Sequence, residues 1–289
     1  MKLCFDATRF GTGLEGAIEL AAAKGIPSIE YTFEPFETTP KGSLKAEEKK
    51  HLKELSELAR EKGVQIACLN LEYLHTPGDR KSARRFQGMM AKLAKVANLV
   101  GCHLLAFYIE PGAGEDWKER FKDEFEPLVD ILESNEVKPV LRLSTPSASR
   151  GLSLKKWRAM EPQDWRDLLS TCSGLTLSFS PADCVWLGID YLQVLANFTS
   201  AIEHVAAHDV EINRDILRDS GMFGPLWWRY RLAGKGTVDW RQLIELLKLY
   251  DYQGAFSIQL DDEFVADEPA VLEDALDEGV RTIAPLVRG

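Results

Sequence analysis

The sequence has no uninterrupted apolar stretch of the roughly 18 residues that a membrane-spanning helix needs. Its opening residues, MKLCFDATRF, reach Asp6 and Arg9 before an apolar region of signal-peptide length can form. Neither membrane insertion nor export is expected, and a cytoplasmic location follows. Cysteine is scarce and unpaired. The five residues Cys4, Cys68, Cys102, Cys172 and Cys184 are widely spaced and form no CxxC pair, which argues against a zinc knuckle or a disulfide framework. Positive charge is also in deficit: a formal net charge of −10 argues against a sequence-independent grip on phosphate backbones, which needs clustered Lys and Arg. No nucleic-acid partner is expected. No low-complexity linker or composition break divides residues 1–289, which favours one closed domain over two.

What is present is a regular alternation. Short β-rich runs alternate with amphipathic stretches of helical period, the pattern of parallel βα units, about eight of them. The expected strands are 2–6, 28–33, 64–71, 104–109, 139–144, 175–179, 202–207 and 255–260. Between two of them, residues 46–62 carry Leu52, Leu55 and Leu58 at helical spacing, with Gly63 as a C-terminal stop. Gly25 and Gly101 are expected to stop two other helices in the same way. The fold class is therefore α/β, as a single (β/α)8 TIM barrel, and its chemistry is expected on the loops at the C-terminal ends of the strands.

Gly11, Gly13 and Gly16 form a GxGxxG between a strand and a helix, with Glu30 and Glu34 downstream, the outline of a dinucleotide fingerprint. That fingerprint sets its first glycine at the strand end, whereas Asp6, Ala7, Thr8 and Arg9 intervene here. The preferred reading is a glycine-containing loop that opens the first barrel helix, with NAD binding the alternative.

Near the C-terminus, HVAAHDVEIN (204–213), WWRYRLAGKGTVDW (227–240) and GAFSIQLDDEF (254–264) resemble the seventh and eighth strand-and-loop units of the xylose-isomerase-like TIM barrels, the sugar (phosphate) isomerase and epimerase group. DNA-repair endonucleases share this barrel but are discounted on charge. The resemblance implies a divalent cation such as Mn or Mg, held by a Glu on strand five, an Asp on strand six, a His on strand seven and a Glu on strand eight. Those places fall here on Arg142 (or Ser144 in a register two residues on), Ser180, Ala206 and Gln259. Asp183 takes the place of a neighbouring histidine and His208 that of a lysine, while Asp209, Asp261 and Asp262 keep acidic character. At about 4 Å and an effective dielectric near 20, a dication beside an arginine is opposed by about 8 kcal/mol, and Arg cannot deprotonate to relieve this. The expectation is no metal ligands and no cofactor, with Arg142 roughly where the cation would stand, paired with Asp183 or Asp261.

Period-two alternation sets Val140, Arg142 and Ser144 on one face, as it does Ser257, Gln259 and Asp261, and His204, Ala206 and His208. The expected binding residues are Arg142, Ser180, Gln259, Asp261, Trp228, Arg229, Arg231 and His75, with His208, Asp183 and Glu110 as candidate proton carriers. Glu72 is a further candidate base. His103, at a strand start, belongs to the wrong end of the barrel for catalysis. The resemblance makes Trp227 to Arg231 a substrate-covering loop; the alternative is rim packing or a subunit contact in a homo-oligomer. Three readings stay open: a metal-free barrel that binds a small polyol or anionic sugar derivative, active or not; a metal-dependent isomerase or epimerase with displaced ligands Asp183, His208 and Asp261; and a non-catalytic scaffold.

Overall fold

The computed structural model describes residues 1–75, 80–109, 114–142, 161–222 and 224–288. Seven strands run in chain order around a barrel: β1 (Lys2–Asp6), β2 (Ser28–Phe33), β3 (Gln65–His75), β4 (Leu104–Ile109), β5 (Lys138–Arg142), β6 (Thr176–Phe179) and β7 (Ile202–Ile212). An eighth barrel strand, β9 (Ala255–Ile258), pairs in parallel with both β7 and β1 and closes the ring. All eight expected strands form, three of them with the expected bounds. Ser144, at the end of the expected fifth strand, lies outside the described residues.

One element departs from expectation. Residues expected as a loop form β8 (Trp228–Leu232), antiparallel to the second half of β7, with His208 opposite Leu232 and Ile212 opposite Trp228. β7 therefore runs five residues past its expected end at Ala207. Its first half belongs to the barrel and its second half to a ribbon that rises from the mouth. The run Trp228, Arg229, Tyr230, Arg231, Leu232 alternates large side chains across two faces, which suits a strand as well as a loop.

Helices cover the outside: α1 (Gly13–Lys24), α2 (Ala46–Lys62), α3 (Arg80–Val100), α4 (Trp117–Glu133), α5 (Pro162–Thr171), α6 (Pro181–Trp186), α7 (Tyr191–Phe198), α8 (Arg214–Ser220), α9 (Trp240–Leu249) and α10 (Pro269–Arg288). Gly25, Gly63 and Gly101 follow α1, α2 and α3 at φ of 64°, 69° and 71°, a left-handed conformation that glycine adopts without the Cβ penalty of other residues. α2 buries Leu52, Leu55 and Ala59, and Leu58 is partly covered. In the GxGxxG segment, Gly11 and Gly13 are left-handed, and a Cβ on Gly16 would lie 2.5 Å from Thr12 Cβ. The three glycines thus have backbone reasons of their own. No helix among the described residues is long and apolar enough to cross a membrane.

Strand alternation divides the core. Outward residues such as Phe5, Ile29, Leu71, Phe107, Leu141 and Phe256 pack against the helices. Inward residues Cys4, Ala67, Cys68, Leu104, Ala106, Val140 and Ala255 form a separate floor of small side chains and thiols. Above that floor the interior turns polar.

Candidate functional site

Glu30, at the middle of β2 and fully buried, is the hub of the polar layer. Its Oε1 accepts a hydrogen bond from Asn70 Nδ2 and one from an Arg142 guanidinium nitrogen at 3.3 Å. Its Oε2 accepts from Gln259 Nε2 at 3.1 Å and lies 2.8 Å from His204 Nε2. His204 Nδ1 is in turn 2.8 Å from Ser178 Oγ. Strand pairing explains the convergence: Arg142 is in register with Ser178, and Ser178 with His204. Burial opposes ionisation of Glu30, but the neighbouring His204 ring and the Arg142 guanidinium outweigh it and hold the carboxyl well below its usual range. The expected partner of Arg142, Asp183 or Asp261, is replaced by this glutamate. Sequence reading considered Glu30 only as an acid downstream of the glycine loop. Alternation in S-I-E-Y-T-F, with Ser28, Glu30 and Thr32 on one face, was the available signal.

Asp6 is the register partner of Glu30 on β1. Loss of water contact and the neighbouring Glu30 carboxylate push the Asp6 carboxyl up to about 7, against the opposing hydrogen bonds from Thr8. One carboxylate held ionised beside another that titrates near neutrality is a pattern of acid and base division. Sequence reading missed Asp6 as well.

A second cluster lies further out, under the β7–β8 ribbon. Ser180 caps α6, its Oγ accepting the Asp183 N–H at 3.2 Å, and lies 2.9 Å from His208 Nε2. Asp183 Oδ1 accepts from Trp186 Nε1 at 3.0 Å and from the Tyr230 hydroxyl. Burial, reinforced by Asp183, pushes the Tyr230 phenol upward, so it remains a donor. Trp186 stacks on Trp228 with ring centroids 4.6 Å apart, and His208 stacks on Tyr230 at 4.3 Å. Three buried atoms at this end find no hydrogen-bond partner among the described residues: Arg142 Nε, Asp183 Oδ2 and His208 Nδ1. A buried polar atom left unpaired costs about 1–3 kcal/mol.

Several expected site residues fall elsewhere. His75 ends β3 but is fully buried against α3 and α4, stacked on Phe86 at 4.4 Å and paired with Glu124. Arg229 and Arg231 are both paired with Glu211, Arg231 also with Asp262 at 3.0 Å, and both lie over the Phe264 ring. Trp228 packs between Trp186 and Tyr230, so it supports the ribbon as a buried residue. The charges of the aromatic and basic run thus have partners within the protein. Glu72 is exposed, and Glu110 lies outside the described residues. His103 lines a basin at the opposite, N-terminal end with Lys2, Lys138 and Gly254. Asp209 is fully buried and structural, accepting from three backbone N–H groups (Val210, Gly234 and Val238) and from Trp240 Nε1.

The cation that the resemblance implies needs oxygen-rich, anionic donors. Arg142, Ser180, Ala206 and Gln259 offer a cation, a hydroxyl, a methyl group and an amide, a set that does not fit an oxygen-rich cage for a hard dication. Among the described residues no group of three or more His, Cys, Asp or Glu side chains is placed to hold a metal ion.

A closed parallel barrel with this strand order, matched by a family profile described as xylose isomerase-like TIM barrel over residues 18–282, decides the family. The chain belongs to the xylose isomerase-like TIM barrels. Solved structures agree on the fold. A xylose isomerase domain protein from Planctomyces limnophilus superposes with a TM-score of 0.72 at 14% identity, covering 99% of this chain and 96% of that one. The 3-keto-D-glucoside 4-epimerase YcjR of E. coli superposes with a TM-score of 0.66 at 14% identity, covering 97% and 99%. Among curated proteins, YfiH of Bacillus subtilis is 25% identical over 105 residues, 33% of this chain and 34% of that protein, so the match spans about a third of either.

Proposed function

We propose that this member of the family is a sugar isomerase- or epimerase-like barrel that works without a divalent cation and holds a small polyol or anionic sugar derivative in its C-terminal mouth. The observation that carries this reading is Arg142. It is 7% exposed, ion-paired to Glu30, and still has an unpartnered Nε. A guanidinium cannot lose its charge and presents several donors in a fixed fork, which suits carboxylate, phosphate or an enediolate oxygen. Epimerase neighbours such as the 3-keto-D-glucoside enzyme support the carbohydrate class.

Proton transfer next to a carbonyl needs a base and a group that stabilises the developing oxyanion. In this mouth Arg142 is the electrostatic group. Asp6, with its carboxyl near 7, and the His208 imidazole are the proton carriers. Glu30 stays ionised and fixes the guanidinium, a positioning role. No step requires a metal.

Two measurements test the reading. Metal analysis of purified protein, before and after incubation with Mn, is expected to find no stoichiometric ion; stoichiometric binding overturns the proposal. Thermal-shift screening against sugar acids and sugar phosphates is expected to give a stabiliser worth about 2.7 kcal/mol at 100 times its dissociation constant. That stabilisation disappears in Arg142→Met. Complete silence across both ligand classes would leave a scaffold role as the better account.

A further inference from the structure

Ser180, His208 and Asp261 stand at the C-terminal ends of three consecutive barrel strands, β6, β7 and β9. Ser180 is 9% exposed and His208 4%. The Ser180 oxygen accepts the Asp183 N–H and lies 2.9 Å from His208 Nε2, a contact that the serine's own hydrogen fills in the Nδ1–H tautomer of the ring. With Nε2 accepting, a neutral imidazole carries its hydrogen on Nδ1. That atom lies 3.8 Å from Asp261 Oδ2 and has no hydrogen-bond partner. The ring is held in this orientation by its stack on Tyr230, which Asp183 anchors. The Asp261 side chain is 53% exposed, so it has room to close the remaining gap, and such contacts are commonly long before substrate binds.

A serine that only caps a helix accounts for the Asp183 contact alone. It gives no reason for a buried imidazole on the serine's other side, or for that imidazole's free nitrogen to face a carboxylate. We propose that Ser180, His208 and Asp261 form a nucleophile, base and orienting-acid relay, and that the mouth performs acyl transfer on a small ester or lactone of a polyol. As the Ser180 Oγ–carbon bond forms, the hydroxyl proton passes to His208 Nε2 and the carbonyl π pair moves onto oxygen. When that oxyanion collapses, the bond to the alcohol oxygen breaks and the alcohol leaves with the proton from Nε2. Water then attacks the acyl carbon by the same route, giving its proton to Nε2, and Ser180 departs with it. Arg142, on the neighbouring strand and in register with Ser178, supplies a fixed positive charge for the oxyanion. This activity shares the mouth, Arg142 and His208 with the binding reading but has its own nucleophile in Ser180, which is read without any sugar ligand, so failure of sugar ligands to shift the melting temperature leaves it standing.

The test is labelling of the full chain with a fluorophosphonate, which needs no knowledge of the natural substrate. The expected result is one adduct, mapped by mass spectrometry to Ser180, with the P–F bond broken. Ser180→Asn keeps an acceptor for the Asp183 N–H, and with it the cap, yet takes no label. His208→Ala slows labelling by roughly 100-fold or more, the range of general-base catalysis, and added imidazole restores part of the rate. His208→Gln, which preserves side-chain bulk, shows the same loss if the alanine variant fails to fold. No adduct on Ser180 in the folded protein, a rate indifferent to His208, or a loss that imidazole does not relieve would each overturn the proposal.

Discussion

Replacing Arg142 by Met removes the cation beside a fully buried carboxylate while keeping most of the side-chain volume. At 3.3 Å and an effective dielectric near 20, the pair attracts by about 5 kcal/mol, an upper figure because removing each charge from water opposes it. Deleting one partner of a buried pair typically costs about 3–5 kcal/mol. Glu30 keeps Asn70, His204 and Gln259 as partners, so the lower end applies: about 3 kcal/mol at pH 7, or roughly 6 °C in melting temperature for a chain of this size. The sign with pH is fixed by Glu30. Its folded-state value lies below 4.5 in the wild type, so the pair's stabilisation is present above the unfolded value and is lost as pH falls through the folded one. Losing the arginine raises the folded value, which makes the variant's deficit large at pH 7 and smaller at pH 5. Adding Glu30→Gln removes the stranded charge, and the double variant is expected to recover at least half of the loss, because replacing a whole buried pair is far cheaper than breaking it. Urea unfolding at pH 5 and 7 for the two singles and the double reads all of this. A single-variant cost under about 1 kcal/mol, or a double variant no more stable than Arg142→Met, would refute the claim that the two charges compensate each other.

Three further outcomes follow from the same geometry. Asp6 is raised from 3.8 to about 7, so it favours the folded state most at low pH and loses that contribution as pH rises toward 7 and above; Asp6→Asn is therefore expected to gain melting temperature relative to wild type at pH 8 and not at pH 4. Asp209→Ala strands four donors at a fully buried site and is expected to cost more than about 4 kcal/mol in urea unfolding, each stranded donor contributing about 1–3. Trp228→Ala removes the stack on Trp186 and is expected to cost about 3–5 kcal/mol, read by thermal melting together with loss of the near-ultraviolet dichroism of the paired indoles.

Much of the barrel was legible because parallel strands have a short period and clear punctuation. Lys2–Asp6, Ser28–Phe33 and Leu104–Ile109 form with the bounds their apolar runs suggest, and the glycines at 25, 63 and 101 mark helix ends through a backbone angle that glycine favours. Period two also set the inward faces of β5, β7 and β9 in advance. The segment Trp228–Leu232 was misread because large alternating side chains serve a strand or a loop equally. What decided it was the second half of β7, which carries a free edge past the barrel.

A (β/α)8 barrel follows from the sequence alone, and the resemblance sets Arg142, Ser180, Ala206 and Gln259 at the family's ligand places. Local periodicity and residue identity carry that much. Which side chains meet is a matter of long-range contact. Glu30 and Arg142 are 112 residues apart in the chain, and Glu30 and Gln259 are 229 apart; nothing local encodes that they meet. Closure of the ring brings them together, because strands adjacent in register place their inward side chains in one layer. The same closure separates His75 from the mouth and sets Ser180 against His208. Composition and spacing could name the residues; the barrel chose which of them touch.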